Sequence, residues 1–67
     1  MINKVIIIED EDIIRKGLVY STPWDDLNCS VVAEADNGKE GLELIQTLRP
    51  DIVLVDINIP FIDGLTM

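Results

Sequence analysis

Lys4-Val5-Ile6-Ile7-Ile8-Glu9-Asp10-Glu11-Asp12 decides how this 67-residue chain folds. Four consecutive β-branched aliphatic residues leave no polar face, and four acids follow them without a break. A strand that is apolar on both faces is buried on both, the situation of an inner strand in a parallel sheet, and the acids mark where it emerges. Beyond the acids the period changes. From about Asp12, Ile14 and Leu18 lie four apart, as do Ile13 and Gly17, with Arg15 and Lys16 expected to point outward. That spacing predicts a short amphipathic helix whose first turn carries acids favoured by the helix dipole. Ser21-Thr22-Pro23 ends it.

Farther out, Ser30 to Ala35 predicts a second strand, less apolar and so closer to a sheet edge. Asn37-Gly38-Lys39-Glu40 fits a helix start with Asn37 as the cap, opening a helix expected to bury Leu42, Ile45 and Leu48 until Arg49-Pro50 stops it. Asp51 to Asp56 is a third strand, aliphatic from Ile52 to Val55 and again finishing in a carboxylate. Residues 57–64, with Pro60 and Asp63-Gly64, predict a loop, and Leu65-Thr66-Met67 the opening of another helix. The order is therefore βαβαβ, an α/β unit with right-handed crossovers, a parallel sheet and helices on both faces.

Composition narrows the function classes. Thirteen acidic residues against five basic ones give a formal charge of -8, with no histidine. Such a surface repels phosphate backbones and anionic lipid alike, so contact with nucleic acid or membrane is not expected of this segment. Cys29 is alone, which excludes an internal disulfide and predicts a small buried or half-buried thiol. No apolar run approaches the ~20 residues of a membrane helix, and no secretory signal opens the chain, so a cytoplasmic location is expected. At this length a chain buries only about 60% of its unfolded surface, which predicts part of a domain.

In doubly wound sheets, ligands sit beyond the carboxyl ends of the strands where the strand order reverses. If the spatial order is 2-1-3, Glu9, Asp10 and Asp56 converge there. Three carboxylates at such range repel unless a divalent cation neutralises them. Magnesium suits oxygen donors and keeps several waters, so one or two carboxylates with a main-chain carbonyl such as that of Asn58 suffice to hold it.

At these residues the chain resembles a known family. Lys4-Val-Ile-Ile-Ile-Glu-Asp-Glu11 and Asp51-Ile-Val-Leu-Val-Asp-Ile-Asn-Ile-Pro-Phe-Ile-Asp-Gly64 look like the receiver domain of two-component response regulators. The resemblance runs the length of the chain and implies a flavodoxin-like fold with strand order 2-1-3. It implies Asp56 as the acceptor of a phosphoryl group from a histidine kinase or phosphotransfer protein, with Mg2+ as cofactor. Asp10 maps as a direct metal ligand, Asp56 as another, the Asn58 carbonyl as a main-chain ligand, and Glu9 as a partner acting through water. Pro60 and Gly64 match the loop after the acceptor. A regulatory domain that assists its own phosphorylation and dephosphorylation, rather than an enzyme built for turnover, is implied.

The chemistry of the residues agrees with that reading. A carboxylate attacks phosphorus only if the charge growing on the phosphoryl oxygens is cancelled, and a chain without histidine cannot itself be the phosphohistidine donor. The family's later serine or threonine and its lysine have no counterpart here, since Lys4 lies at the far end of its strand and Lys16 and Lys39 lie on helices. Residues 1–67 are accordingly expected to be the amino-terminal half of a receiver, with the third strand as an aliphatic edge.

Trp24-Asp25-Asp26-Leu27 reads first as a packed corner. It also looks like the corner of receivers joined to AraC-type helix-turn-helix domains, implying transcription regulation through an output domain elsewhere and compatible with a homodimer of the intact protein. Two other functions compete with the receiver reading. A haloacid-dehalogenase-type phosphatase needs an aspartate and a threonine where Asn58 and Pro60 stand. A receiver-like module acting only by protein contact would not need all three acids. An EF-hand loop from Asp56 fails at Phe61, where glycine is required.

Overall fold

The computed structural model describes residues 1–55. Strand β1 spans Asn3–Ile8, helix α1 Asp12–Ser21, strand β2 Cys29–Ala35, helix α2 Gly38–Leu48 and strand β3 Ile52–Val55, with a 3-10 turn at Asp25–Leu27. The three strands are parallel in the order β2-β1-β3. The expected loop over 57–64 and the helix opening at Leu65 fall outside the described residues.

β1 is the centre of the molecule because nothing in Val5 to Ile8 tolerates water. Those four side chains are between 0% and 1% exposed. Alternation sends them to opposite faces. Ile6 and Ile8 meet Ala33, Ala35, Leu44, Ile45, Leu48, Val53 and Val55 under α2. Val5 and Ile7 meet Cys29, Leu18, Val19, Trp24 and Val31 on the α1 side. The helices thus cover opposite faces, as a doubly wound sheet requires.

β2 breaks its own alternation. Cys29, Val31, Ala33 and Ala35 would share one face of a regular strand, yet the first two lie under α1 and the last two under α2. The register explains the switch, because Val5 pairs with Val31 while the next residue, Ile6, pairs with Ala33. Val32 is therefore the extra residue of a bulge. The strand also begins at Cys29, one residue before the predicted Ser30.

Helix α2 starts as its sequence dictates, with the Asn37 side chain accepting a hydrogen bond from the Glu40 amide at 2.7 Å. It ends at Arg49, which takes a left-handed conformation (φ 48°). The Lys4 ammonium donates to the Leu48 carbonyl at 2.9 Å, capping the helix end from β1. The inward face comprises Gly41, Leu44, Ile45 and Leu48, the i, i+3, i+4, i+7 series. Leu42 was expected in it and Leu44 takes its place, because Gly41 is the point of closest approach and Leu42 lies one position round the helix, half-buried.

A side chain at Gly41 has nowhere to go. A Cβ there would lie 2.3 Å from Ile8 Cδ1 and 2.8 Å from Ile8 Cγ1. Overpacking of about 1–3 kcal/mol outweighs the gain of about 1 kcal/mol in helix propensity, so Gly41→Ala should lower the unfolding midpoint. Gly17 is the internal control. Nothing lies within 4 Å of a Cβ built on it, and Gly17→Ala in α1 should raise stability by about 0.5–1 kcal/mol. Urea unfolding of both variants tests the pair, and a Gly41→Ala protein as stable as its parent would contradict the close seating of α2 on β1.

Candidate functional site

The site is assembled where β1 stops. Ile8 is the last residue of the strand, and the backbone runs on through Glu9, Asp10 and Glu11 before α1 begins at Asp12. Glu9 is 5% exposed, the one buried charged residue of the described chain. Its main chain and its carboxylate are both engaged. The amide donates to the Ala35 carbonyl at 2.9 Å, continuing the β1–β2 ladder one step beyond the strand. One carboxylate oxygen accepts from the Glu11 amide at 3.0 Å. Asp10, the next residue, is exposed. Glu11 occupies the cap position of α1 but gives no side-chain cap bond, and Asp12 is the acid of the first turn.

Arg15 departs from expectation. Its predicted outward orientation is wrong, for its side chain is only 13% exposed and folds back over the loop. One guanidinium nitrogen donates to the Glu9 carbonyl at 2.7 Å, a second to Asp12 at 2.5 Å, and Nε to Glu34 on β2 at 3.2 Å. The hydrogen bond to Asp12 is the largest influence holding the guanidinium above its ordinary pKa. Burial works against it, and the Asp12 charge and Glu34 assist. Ile13, expected on the inward side with Gly17, is 87% exposed, and Ile14 is exposed as well. Leu18 makes the apolar contact of α1 as expected, and Val19 joins it.

The neighbouring strand ends at the same level. β3 pairs with β1 so that Ile8 stands opposite Val55, the residues that precede Glu9 and Asp56 in sequence. Adjacent strands lie about 4.8 Å apart, so β1 and β3 end side by side. A groove of about 480 Å³ opens there between α1 and β3, walled by Ile14, Leu18 and Leu54 and reaching Glu9. Asp56 and Asn58 lie outside the described residues. Among the described residues no three acidic, histidine or cysteine side chains are gathered as a metal-binding group. Glu9 and Asp10 nonetheless supply the hard oxygen donors that magnesium takes.

At the far end of the sheet Lys4 is committed elsewhere. Its amide donates to the Asp51 carboxylate at 2.7 Å, and its ammonium is bound at Leu48, so it cannot face the acids. Trp24 is half-buried, with its indole N–H donating to the Val19 carbonyl at 3.1 Å, which is the packed corner its sequence suggested.

A short parallel sheet wound on both faces, with acids where its inner strand ends, places the chain among the doubly wound α/β domains. This chain belongs to the response regulator receiver domain family, whose model matches residues 5–67. An uncharacterised response regulatory protein of Staphylococcus epidermidis is 42% identical over 64 residues, covering 96% of this chain and 26% of that protein. The transcriptional regulatory protein HptR of Staphylococcus aureus is 41% identical over 64 residues, covering 96% and 25%. The selenomethionine derivative of the REC domain of AraT, a response regulator from Geobacillus stearothermophilus, superposes with a TM-score of 0.87 at 48% identity, covering 98% of this chain and 51% of that one. The chain thus spans about a quarter of the length of these curated relatives. The flavodoxin-like fold and the 2-1-3 strand order are those the sequence implied, and the matches favour neither the phosphatase nor the contact-only module. No described helix is long and apolar enough to cross a membrane.

Proposed function

We propose that this chain is the phosphoaccepting part of a response regulator, with Asp56 as acceptor and with Asp10, Asp56, the Asn58 carbonyl and, through water, Glu9 as the residues that hold Mg2+. Residues 1–67 then form part of one receiver domain. The observation that supports this reading is the parallel pairing of β1 with β3, Ile8 opposite Val55, which ends the two strands at one level, each followed in the sequence by an acid.

In the proposed reaction an oxygen of the Asp56 carboxylate attacks the phosphorus of a phosphohistidine on a kinase or phosphotransfer protein. The new O–P bond forms as the P–N bond breaks, and the departing imidazole keeps the electron pair and takes a proton. Bound Mg2+ supplies neutralisation of the charge on the transferring oxygens. Glu9, whose amide donates to the Ala35 carbonyl and whose carboxylate accepts from the Glu11 amide, enters the reaction already oriented. The domain assists both the gain and the loss of its phosphoryl group. The added charge of roughly -2 biases a two-state response that an output domain beyond this chain converts into DNA binding and transcription control in the cytoplasm.

The test is chemical. Protein incubated with acetyl phosphate and Mg2+ should acquire a phosphate released by alkali and by hydroxylamine, the behaviour of an acyl phosphate, and chelation of the metal should prevent its formation. A label stable to hydroxylamine would mean that a hydroxyl, not a carboxylate, had been modified.

A further inference from the structure

Arg15 joins three parts of the molecule through one planar group. Its guanidinium reaches the carbonyl of Glu9 in the loop after β1, Asp12 in the first turn of α1, and Glu34 on β2, whose strand partner is Ile7. The two ion pairs are surface contacts of the kind that contribute little by themselves, Asp12 being 70% and Glu34 38% exposed. The bond to the carbonyl is different. It fixes a peptide group, the one between Glu9 and Asp10. The other side of Glu9 is fixed by the hydrogen bond its amide donates to the Ala35 carbonyl.

With its main chain held at both amide and carbonyl, Glu9 has little freedom in φ or ψ, and the direction in which Asp10 leaves the loop is set with it. Magnesium is demanding about the angle of approach of its ligands. We propose that Arg15 is a positioning residue for the acidic loop: by holding the Glu9 carbonyl it sets the orientation in which Glu9 and Asp10 are presented to a divalent cation. The inference rests on the reading of this loop as part of a magnesium-dependent phosphoacceptor site. Arg15 does not serve as the counter-charge itself, since Asp12 and Glu34 already occupy its remaining nitrogens. Lysine could not replace it, having no fork with which to reach three acceptors at fixed angles.

The experiment compares the full-length protein with its Arg15→Ala, Arg15→Lys and Asp10→Asn forms. Mg2+ half-saturation is read by calorimetry, Mg2+-dependent labelling by acetyl phosphate gives the rate, and thermal unfolding reports stability. Loss of groups that orient metal ligands weakens affinity by about 10–100-fold, so Arg15→Ala should raise the Mg2+ half-saturation by at least about 10-fold. Labelling at saturating Mg2+ should recover. Arg15→Lys should stay closer to the alanine variant than to the parent, and it carries the test should Arg15→Ala fail to fold. Unchanged Mg2+ half-saturation in either variant, with only the melting temperature lowered, would make Arg15 merely structural and overturn the proposal. A parent protein that neither binds Mg2+ nor labels, with Asp10→Asn indistinguishable from it, would overturn the reading beneath as well.

Discussion

Asp56→Asn should reduce incorporation of phosphate from acetyl phosphate to background, whatever the Mg2+ concentration. The substitution keeps the shape of the side chain and removes the one property the reaction needs, an anionic oxygen able to form a bond to phosphorus. The fold should not suffer. Asparagine preserves volume, and in the proposed site deleting one acid's negative charge relieves repulsion rather than adding it. Unfolding curves of parent and variant should therefore nearly coincide, so that lost labelling cannot be ascribed to lost structure. Undiminished labelling of the asparagine variant, mapped by peptide mass, would transfer the acceptor role to another carboxylate and dismantle the proposed site.

The second large effect is on stability. Ile6→Ala should destabilise the protein by about 2–5 kcal/mol, against the 5–15 kcal/mol that holds a whole domain together. Ile6 is fully buried, and the layer around it draws side chains from β2, α2 and β3 together. Removing its outer methylenes leaves a void that none of these elements can fill without abandoning its own contacts. With urea slopes of about 1–3 kcal/mol/M, the midpoint should fall by about 0.7 M or more, while Ile6→Val should cost only about 0.5–1.5 kcal/mol. A loss below about 1 kcal/mol for the alanine variant would show that the α2 face is not the principal core.

Some of this architecture could be read directly from the residues. Val5 to Ile8 announced a doubly buried strand because four β-branched aliphatics admit no wet face, and Asn37 announced a helix start because its side chain meets a main-chain amide of known position. The 2-1-3 order came from family resemblance, since nothing in local pattern says which strand neighbours which. What escaped had its cause in main-chain atoms or in packing distance. Arg15 looked outward because charge predicts solvent, but its partner is the Glu9 carbonyl, which no sequence displays. The acidic neighbours Asp12 and Glu34 were the only available signal, and Glu34 lies on β2, 19 residues away in sequence. Leu42 and Leu44 are equivalent to a periodicity argument, and only the seating of Gly41 on Ile8 separates them. Of the site, Glu9 and Asp10 stand at the end of the inner strand as expected, whereas the readings of Asp56 and Asn58 concern residues outside those described.

The surplus residue Val32 has an effect on alignment. A uniform strand of small apolar residues could slide along β1 in steps of two and present the same faces each time. The kink removes that degeneracy. Only one phasing puts Cys29 and Val31 beneath one helix and Ala33 and Ala35 beneath the other, so misaligned pairings are penalised on both sides of the sheet at once. Ala35 is the residue whose carbonyl receives the Glu9 amide. An irregularity three residues upstream thereby acts as an index mark, assigning the acids their height above the sheet.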